Sequence, residues 1–218
     1  MQNQFGGFNV CKRNLAKTIS SASLLIVLLF ASQVDAQQTV NGCKLKRKTS
    51  CPGVNLAGAD LTKSNISGAD LSGADLSGAN LSGNKISESN LIKANLSNAN
   101  LSGANLAETY MTGANLSHAN LAHANLSQSS MPGANLREAN LAGANLSLAN
   151  LKGADLTGTN AKGAIFIMSV LTNANLTRAD LSEASLMGTN LSNTILEGVK
   201  YCKTIMPDKS INNSGCSK

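Results

Sequence analysis

The chain has 218 residues and a formal charge of +6, but that charge sits at its ends. Residues 54–201 hold 8 Lys+Arg against 10 Asp+Glu, a net −2. With 3% aromatic residues and no basic stripe along this body, direct binding of nucleic acid is excluded as a main activity.

Residues 1–36 read as a cleavable export signal. Lys12, Arg13 and Lys17 precede an apolar run from Ala22 to Ala31, and Val34-Asp35-Ala36 offers small residues for a cut after Ala36. That run is too short to cross a bilayer as a helix. No cysteine stands at the cut, so lipid anchoring is not indicated. Residues 37–53 then form an expected N-terminal cap, in which Lys44, Lys46, Arg47 and Lys48 crowd together. A solvated loop is the plain reading of this cluster. Contact with anionic lipid or polysaccharide is the weaker alternative.

From Val54 to Tyr201 the chain repeats every five residues without insertion or deletion. The unit is A-(D/N)-L-x-x, and its central residue falls at 56, 61, 66 and onward to 201, giving 30 units. Twenty-three of these centres are Leu. A five-residue step turns about 140° around a helix, which sprays the leucines around the axis and leaves no apolar stripe. In extended chain the small residue and the Leu share a face, and the Asp or Asn between them points away. The odd step to the next unit demands a corner. Gly58, Gly68, Gly73, Gly78, Gly103 and Gly143, with Asn98, Asn173 and Asn193, stand where a type II turn needs positive φ. The reading is a coil of short strands joined by tight corners.

Residues 202–218 form the C-terminal cap or tail. Cys11 lies in the signal, which leaves Cys43, Cys51, Cys202 and Cys216, two at each end of the repeat. Four cysteines allow three pairings.

Stretches such as ADLSGADLSGANLSG (69–83) and ANLREANLAGANLSLANL (134–151) closely resemble the consensus of the pentapeptide-repeat family, over about two thirds of the chain. The resemblance implies an all-β, right-handed quadrilateral β-helix with four units per coil, hence about 7.5 coils and a rod roughly 36 Å long. Such a coil holds its two ends beyond disulfide reach, and so implies the pairs Cys43–Cys51 and Cys202–Cys216. The tail also looks like the closing segment of exported members of the family. In this geometry residues twenty apart share a column. The outward Asp and Asn then stack, with Asp60, Asn80, Asn100, Asn120, Asn140, Asn160 and Asp180 as one ladder. Asn84 is the one polar residue expected to point inward, as a local distortion. Ala161 followed by Phe166 exchanges small for large and conserves layer volume.

Export and cysteines confined to caps support each other. Nine N-x-S/T triplets in the repeat would destroy the ladders if glycosylated, so a bacterial periplasm or secretion from a bacterium fits better than a eukaryotic secretory route. A thylakoid-lumen-type compartment is the alternative.

No catalytic, metal or cofactor constellation is visible, and the chain is read as a non-enzymatic scaffold. His118 and His123 fall on adjacent sides of the coil, and Glu138 stacks over His118 as a weak partner. Some members of the family imitate DNA and bind type II topoisomerases, but mimicry of that kind needs a strongly acidic rod. The near-neutral body and the signal leave it as the alternative. The best candidate surface is apolar: Ile165, Ile167, Met168 and Val170 stand at outward positions, with Leu148 below Met168 and Met187 above Ile167. It is expected to bind protein, a second copy or an envelope partner; drift in an unused surface and cover by the C-terminal tail are the other readings.

Overall fold

A computed structural model describes residues 38–216, and the segment expected as an export signal lies outside them. The residue before each core position pairs in parallel with the residue twenty further on, as Asn55 with Asp75, Asp60 with Asn80 and Asp180 with Lys200. Twenty residues are four units, so each rung of the coil turns four corners. Three kinds of backbone bond tie one rung to the next, shown by Leu56 N to Asp75 O at 2.6 Å, Gly58 N to Ser77 O at 2.8 Å and Asp75 N to Val54 O at 2.9 Å.

Each corner closes on a bond from the small residue to the preceding core carbonyl, such as Ala59 N to Leu56 O at 3.1 Å. The third turn residue is left-handed, but glycine and asparagine supply only part of this set. Lys93, Glu108, His118, Gln128, Leu148, Met168 and Arg178 also hold φ between 55° and 61°. An L-residue there costs roughly 1–2 kcal/mol. The fold tolerates that cost because the same residue's N–H bonds to the rung above. The corner at Lys63 alone lacks the left-handed residue. Asn84 sits one rung over Ser64, is 2% exposed, and donates its amide to Leu61 O and to Ser64 Oγ. The distortion expected at Asn84 is thus resolved in the corner beneath it.

Inside, the leucine columns from Leu56 to Leu186 are sealed, and Ala161 and Phe166 are both 0% exposed. Asn84 is not the only inward polar residue, contrary to expectation. Ser89, Thr109, Ser129, Thr159, Ser169 and Thr189 are buried at the same small position. Most are satisfied by a core carbonyl: Thr109 Oγ1 donates to Leu106 O at 2.7 Å and Ser89 Oγ to Ile66 O at 2.8 Å. A hydroxyl fits this slot because it adds a second donor to a core carbonyl that already accepts a corner N–H.

The coil register extends beyond 54–201 at both ends, to Ser50 with Asp70 and Ser185 with Ile205. Below it, β1 (Thr39–Val40) and β2 (Cys43–Lys44) form an antiparallel hairpin, tied down by the Cys43–Cys51 disulfide. Above it, β3 (Thr204–Ile205) pairs with β4 (Ile211–Asn212), and Cys202 is bonded to Cys216.

Candidate interaction surface

On two sides of the coil the position before the core is mostly Asn or Asp, and the structure shows why. An Asn Oδ1 there accepts the N–H two residues on, as Asn95 does from Ser97 at 3.2 Å, and over much of the coil its Nδ2 donates to the Asn or Asp one rung below, as Asn115 does to Asn95 at 3.2 Å. The ladder from Asn80 to Asn160 is continuous, with steps of 3.1–3.3 Å. Its expected upper member, Asp180, has no N–H to give to Asn160 and bonds Lys200 Nζ at 3.2 Å instead. These side chains spend their polar atoms on each other, which leaves little for a ligand.

The fourth side departs from this pattern near its upper end. Its outward column runs Asn65, Lys85, Asn105, Asn125, Asn145 and then Ile165, Ser185, Ile205. On the four upper rungs of this side, residues 144–148, 164–168, 184–188 and 204–208, the only charge is Asp208. Leu148 and Met168 occupy stacked corners and are 54% and 62% exposed. The Met168 side chain leans over Gly188, where an added Cβ would lie 3.4 Å from Met168 Cγ. Ile165 is 37% exposed. Ile167 and Met187 differ from expectation, being only half-buried rather than fully outward. Their partial burial is that of the first corner position along most of the coil, where Ser72, Ser97 and Ser127 are covered to a similar degree. Val170 lies around the next corner and is exposed.

As far as Cys216, the last described residue, the C-terminal tail does not cover this surface. Through the Ser185–Ile205 bridge and the pairing of Ile205 with Ile211 it prolongs the same side, ending in Ile211 at 66% exposure. Sequence reading missed Ile205 and Ile211 because they fall beyond the last regular unit, although Ile205 obeys the twenty-residue register. An apolar strip of this length, flanked by Asn, Ser and Gly, is uncommon on a small soluble protein.

The ion pairs lie on other sides: Arg137 with Asp155 at 3.0 Å, Lys162 with Glu183 at 3.3 Å, Lys200 with Asp180 at 3.2 Å, and His118 with Glu138 at 3.4 Å. Burial pushes the Asp155 carboxyl up, but bonds from Thr157 and the Arg137 guanidinium outweigh it and hold the group below its ordinary range. His123 stands beside Gly143, apart from His118. Among the described residues no three His, Cys, Asp or Glu side chains gather to hold a metal ion. Lys44, Lys46, Arg47 and Lys48 are exposed, and none has an ion-pair partner among the described residues.

The family profile of pentapeptide repeats matches in 8 copies, over residues 48–83, 89–128, 129–166 and 169–200. The chain belongs to the pentapeptide-repeat family. Membership makes the coil the family's right-handed quadrilateral β-helix. Among solved structures, this pentapeptide-repeat protein is similar to HetL of the cyanobacterium Nostoc sp. strain PCC 7120, a protein involved in regulating heterocyst differentiation. The identity is 27%, covering 86% of this chain and 98% of HetL, with a TM-score of 0.44. A thylakoid-lumen pentapeptide-repeat protein of Arabidopsis thaliana is 32% identical over 44% of this chain and 68% of its own, with a TM-score of 0.44. The plasmid-mediated fluoroquinolone resistance protein QnrB1, in a trypsin-treated variant, is 21% identical over 69% of this chain and 88% of its own, with a TM-score of 0.40. No curated protein matches the chain.

Proposed function

We propose that this pentapeptide-repeat protein is an exported, non-enzymatic scaffold of about 7.5 coils that binds a protein partner through the apolar strip on one side. The carrying observation is the replacement of the Asn column by Ile165 and Ile205, in a stretch that loses its charges while Leu148 and Met168 stand exposed beside it. Apolar side chains that could equally be Asn or Ser at no cost to the coil are most simply explained by a partner that covers them. Disulfides at both ends fit an oxidising compartment. A bacterial periplasm or secretion accounts for this together with the signal-like N-terminus. The rival reading, a topoisomerase-binding DNA mimic, would need an acidic rod, and here Glu138, Asp155, Asp180 and Glu183 are each paired with a cation or a histidine.

The test is cross-linking of the oxidised protein in its native envelope fraction, beside the double variant Leu148→Asn/Met168→Asn. Asn suits the left-handed corner better than Leu or Met, so this variant removes apolar surface while keeping or slightly raising stability. Loss of the cross-linked partner in the variant, with an unchanged unfolding midpoint, is the expected outcome. Equal capture by both proteins would sink the proposal.

A further inference from the structure

The lower end of the coil is finished by side chains. Its first rung presents carbonyls that an earlier rung's N–H groups would bond. Side-chain amides take that place: Gln38 Nε2 donates to Asp60 O at 2.8 Å and Asn41 Nδ2 to Asn55 O at 2.6 Å. Leu45 and Cys43, each 3% exposed, close the core there. Asn41 makes its bond from the tip of the β1–β2 hairpin, where Asn41 and Gly42 hold φ of 48° and 80°. Positive φ at both central residues marks the two-residue turn for which Asn-Gly is a preferred pair. The chain contains this dipeptide once.

An asparagine amide is open to attack by the backbone nitrogen that follows it, and the coil obstructs that reaction. Asn95 shows how. The Leu96 N–H after it is held by Asn115 O at 2.6 Å, and the leucine side chain crowds the same nitrogen. Asn95 Oδ1 accepts from Ser97 N at 3.2 Å, and its Nδ2 donates to Asp75 Oδ1 at 3.1 Å. Asn41 has only the single bond to Asn55 O. Among the described residues the Gly42 N–H has no acceptor, and nothing lies within 4 Å of where a Gly42 Cβ would stand. Both residues are exposed, so base and water reach them.

We propose that Asn41 is a self-modifying site, whose conversion to a carboxylate unlatches the lower end of the coil. The Gly42 nitrogen attacks Asn41 Cγ, and the new N–C bond closes a cyclic imide. The Cγ–Nδ2 bond breaks, and the side-chain nitrogen leaves as ammonia with the proton that Gly42 gave up. Water then opens the imide at one of its two carbonyls. One opening gives aspartate; the other gives isoaspartate, in which the backbone runs through the former side chain. Neither product can donate to Asn55 O, because an ionised carboxylate only accepts. Isoaspartate also lengthens a turn built for two residues. The bond to Asn55 must break before Asn41 Cγ can turn to Gly42 N. A hydrogen bond of ordinary net strength slows that release about fivefold, so the latch delays the reaction without stopping it. This inference uses no part of the apolar strip and does not depend on the proposed partner.

The experiment incubates the oxidised protein at neutral pH beside an unfolded peptide of residues 38–45, and follows each asparagine by peptide mapping. Aspartate and isoaspartate should appear at position 41 within about tenfold of the peptide's rate, with one ammonia released per converted chain. Asn95 and the other coil asparagines should keep their amides over the same time. Ion exchange then separates the converted chains. In these the Leu45 amide, which donates to Gln38 O at 2.8 Å inside the cap, should exchange faster with solvent. The urea midpoint of the aspartate form should fall to that of Asn41→Asp. Conversion at position 41 more than about tenfold slower than in the peptide, or spread evenly over the coil asparagines, would overturn the site. Conversion that leaves both the Leu45 amide and the midpoint unchanged would overturn the latch.

Discussion

Leu56 and Leu196 stand in the same core column, one on the first rung and one on the last, yet their surroundings differ. Leu56 is 1% exposed under the N-terminal hairpin, while Leu196 is only partly buried. In a stacked coil each rung is sealed by its neighbours, so the interior comes free with the repeat and the two ends need separate devices. The lower end has one, built from a hairpin, a disulfide and two amide side chains. The upper end has one only in part, since the hairpin and the Cys202–Cys216 bridge cover two sides and leave two open.

The largest consequence concerns that column. Leu56→Ala removes a sealed side chain and should cost about 3 kcal/mol, whereas Leu196→Ala should cost about 1 kcal/mol because water already reaches it. Urea unfolding at low protein concentration measures both. Equal losses would show that the upper end is covered in solution, and repeating the Leu196→Ala measurement at high concentration would then separate a second copy from the chain's own tail.

A smaller effect is expected from the two amides. Gln38→Ala and Asn41→Ala should each cost about 1 kcal/mol, the worth of a hydrogen bond whose partner is left bare. The double variant should also change the assembly. With the amides gone, the first rung of one coil can stack on the last rung of another, and longer species should appear as light scattering that rises with concentration. A double variant that stays a single chain would show that the hairpin and Leu45, rather than the amides, keep the lower end closed.

How much of this could be read from residues follows the repeat. The alternation of inward Leu and outward Asn or Asp follows from a strict period of five, while the twenty-residue register, its leucine columns and the Asn ladder were legible through the family resemblance, which implies four units per coil. The strip was legible because Ile165 and Met168, both in one unit, break the pattern set by the other twenty-nine units. Where the period stops, sequence reasoning stopped too. Gln38 and Asn41 reach carbonyls 22 and 14 residues away, outside any unit, and no local signal marks them. Nor did residue type reveal that Glu108, Leu148 and Arg178 would adopt a left-handed backbone. There the cross-rung hydrogen bond overrides intrinsic preference. Ile167 and Met187 illustrate a third limit, since outward direction was predictable but the partial cover of the first corner position was not.

The smallest predicted effect probes how charges end a ladder. The Asp60 carboxyl at the lower end is held below its ordinary pKa by the Thr62 N–H and then its hydroxyl. At the upper end burial pushes Asp180 up, while the Ser182 N–H and the Lys200 ammonium pull it down and prevail. A carboxyl whose pKa is lowered by folding stabilises the fold above its unfolded value, near about pH 4, and that contribution is lost as pH falls through the folded value. Asp180→Asn gives up an exposed ion pair worth roughly 0.2–1 kcal/mol and gains an N–H able to extend the ladder to Asn160, worth about 0.5–1.5 kcal/mol. Stability at neutral pH should therefore fall by no more than about 0.5 kcal/mol and on balance rise slightly, and the fall in melting temperature below about pH 4 should become shallower. A marked loss at neutral pH would mean that the Lys200 pair, which stands beside the open rung, does more to hold the upper end than the amide ladder can replace.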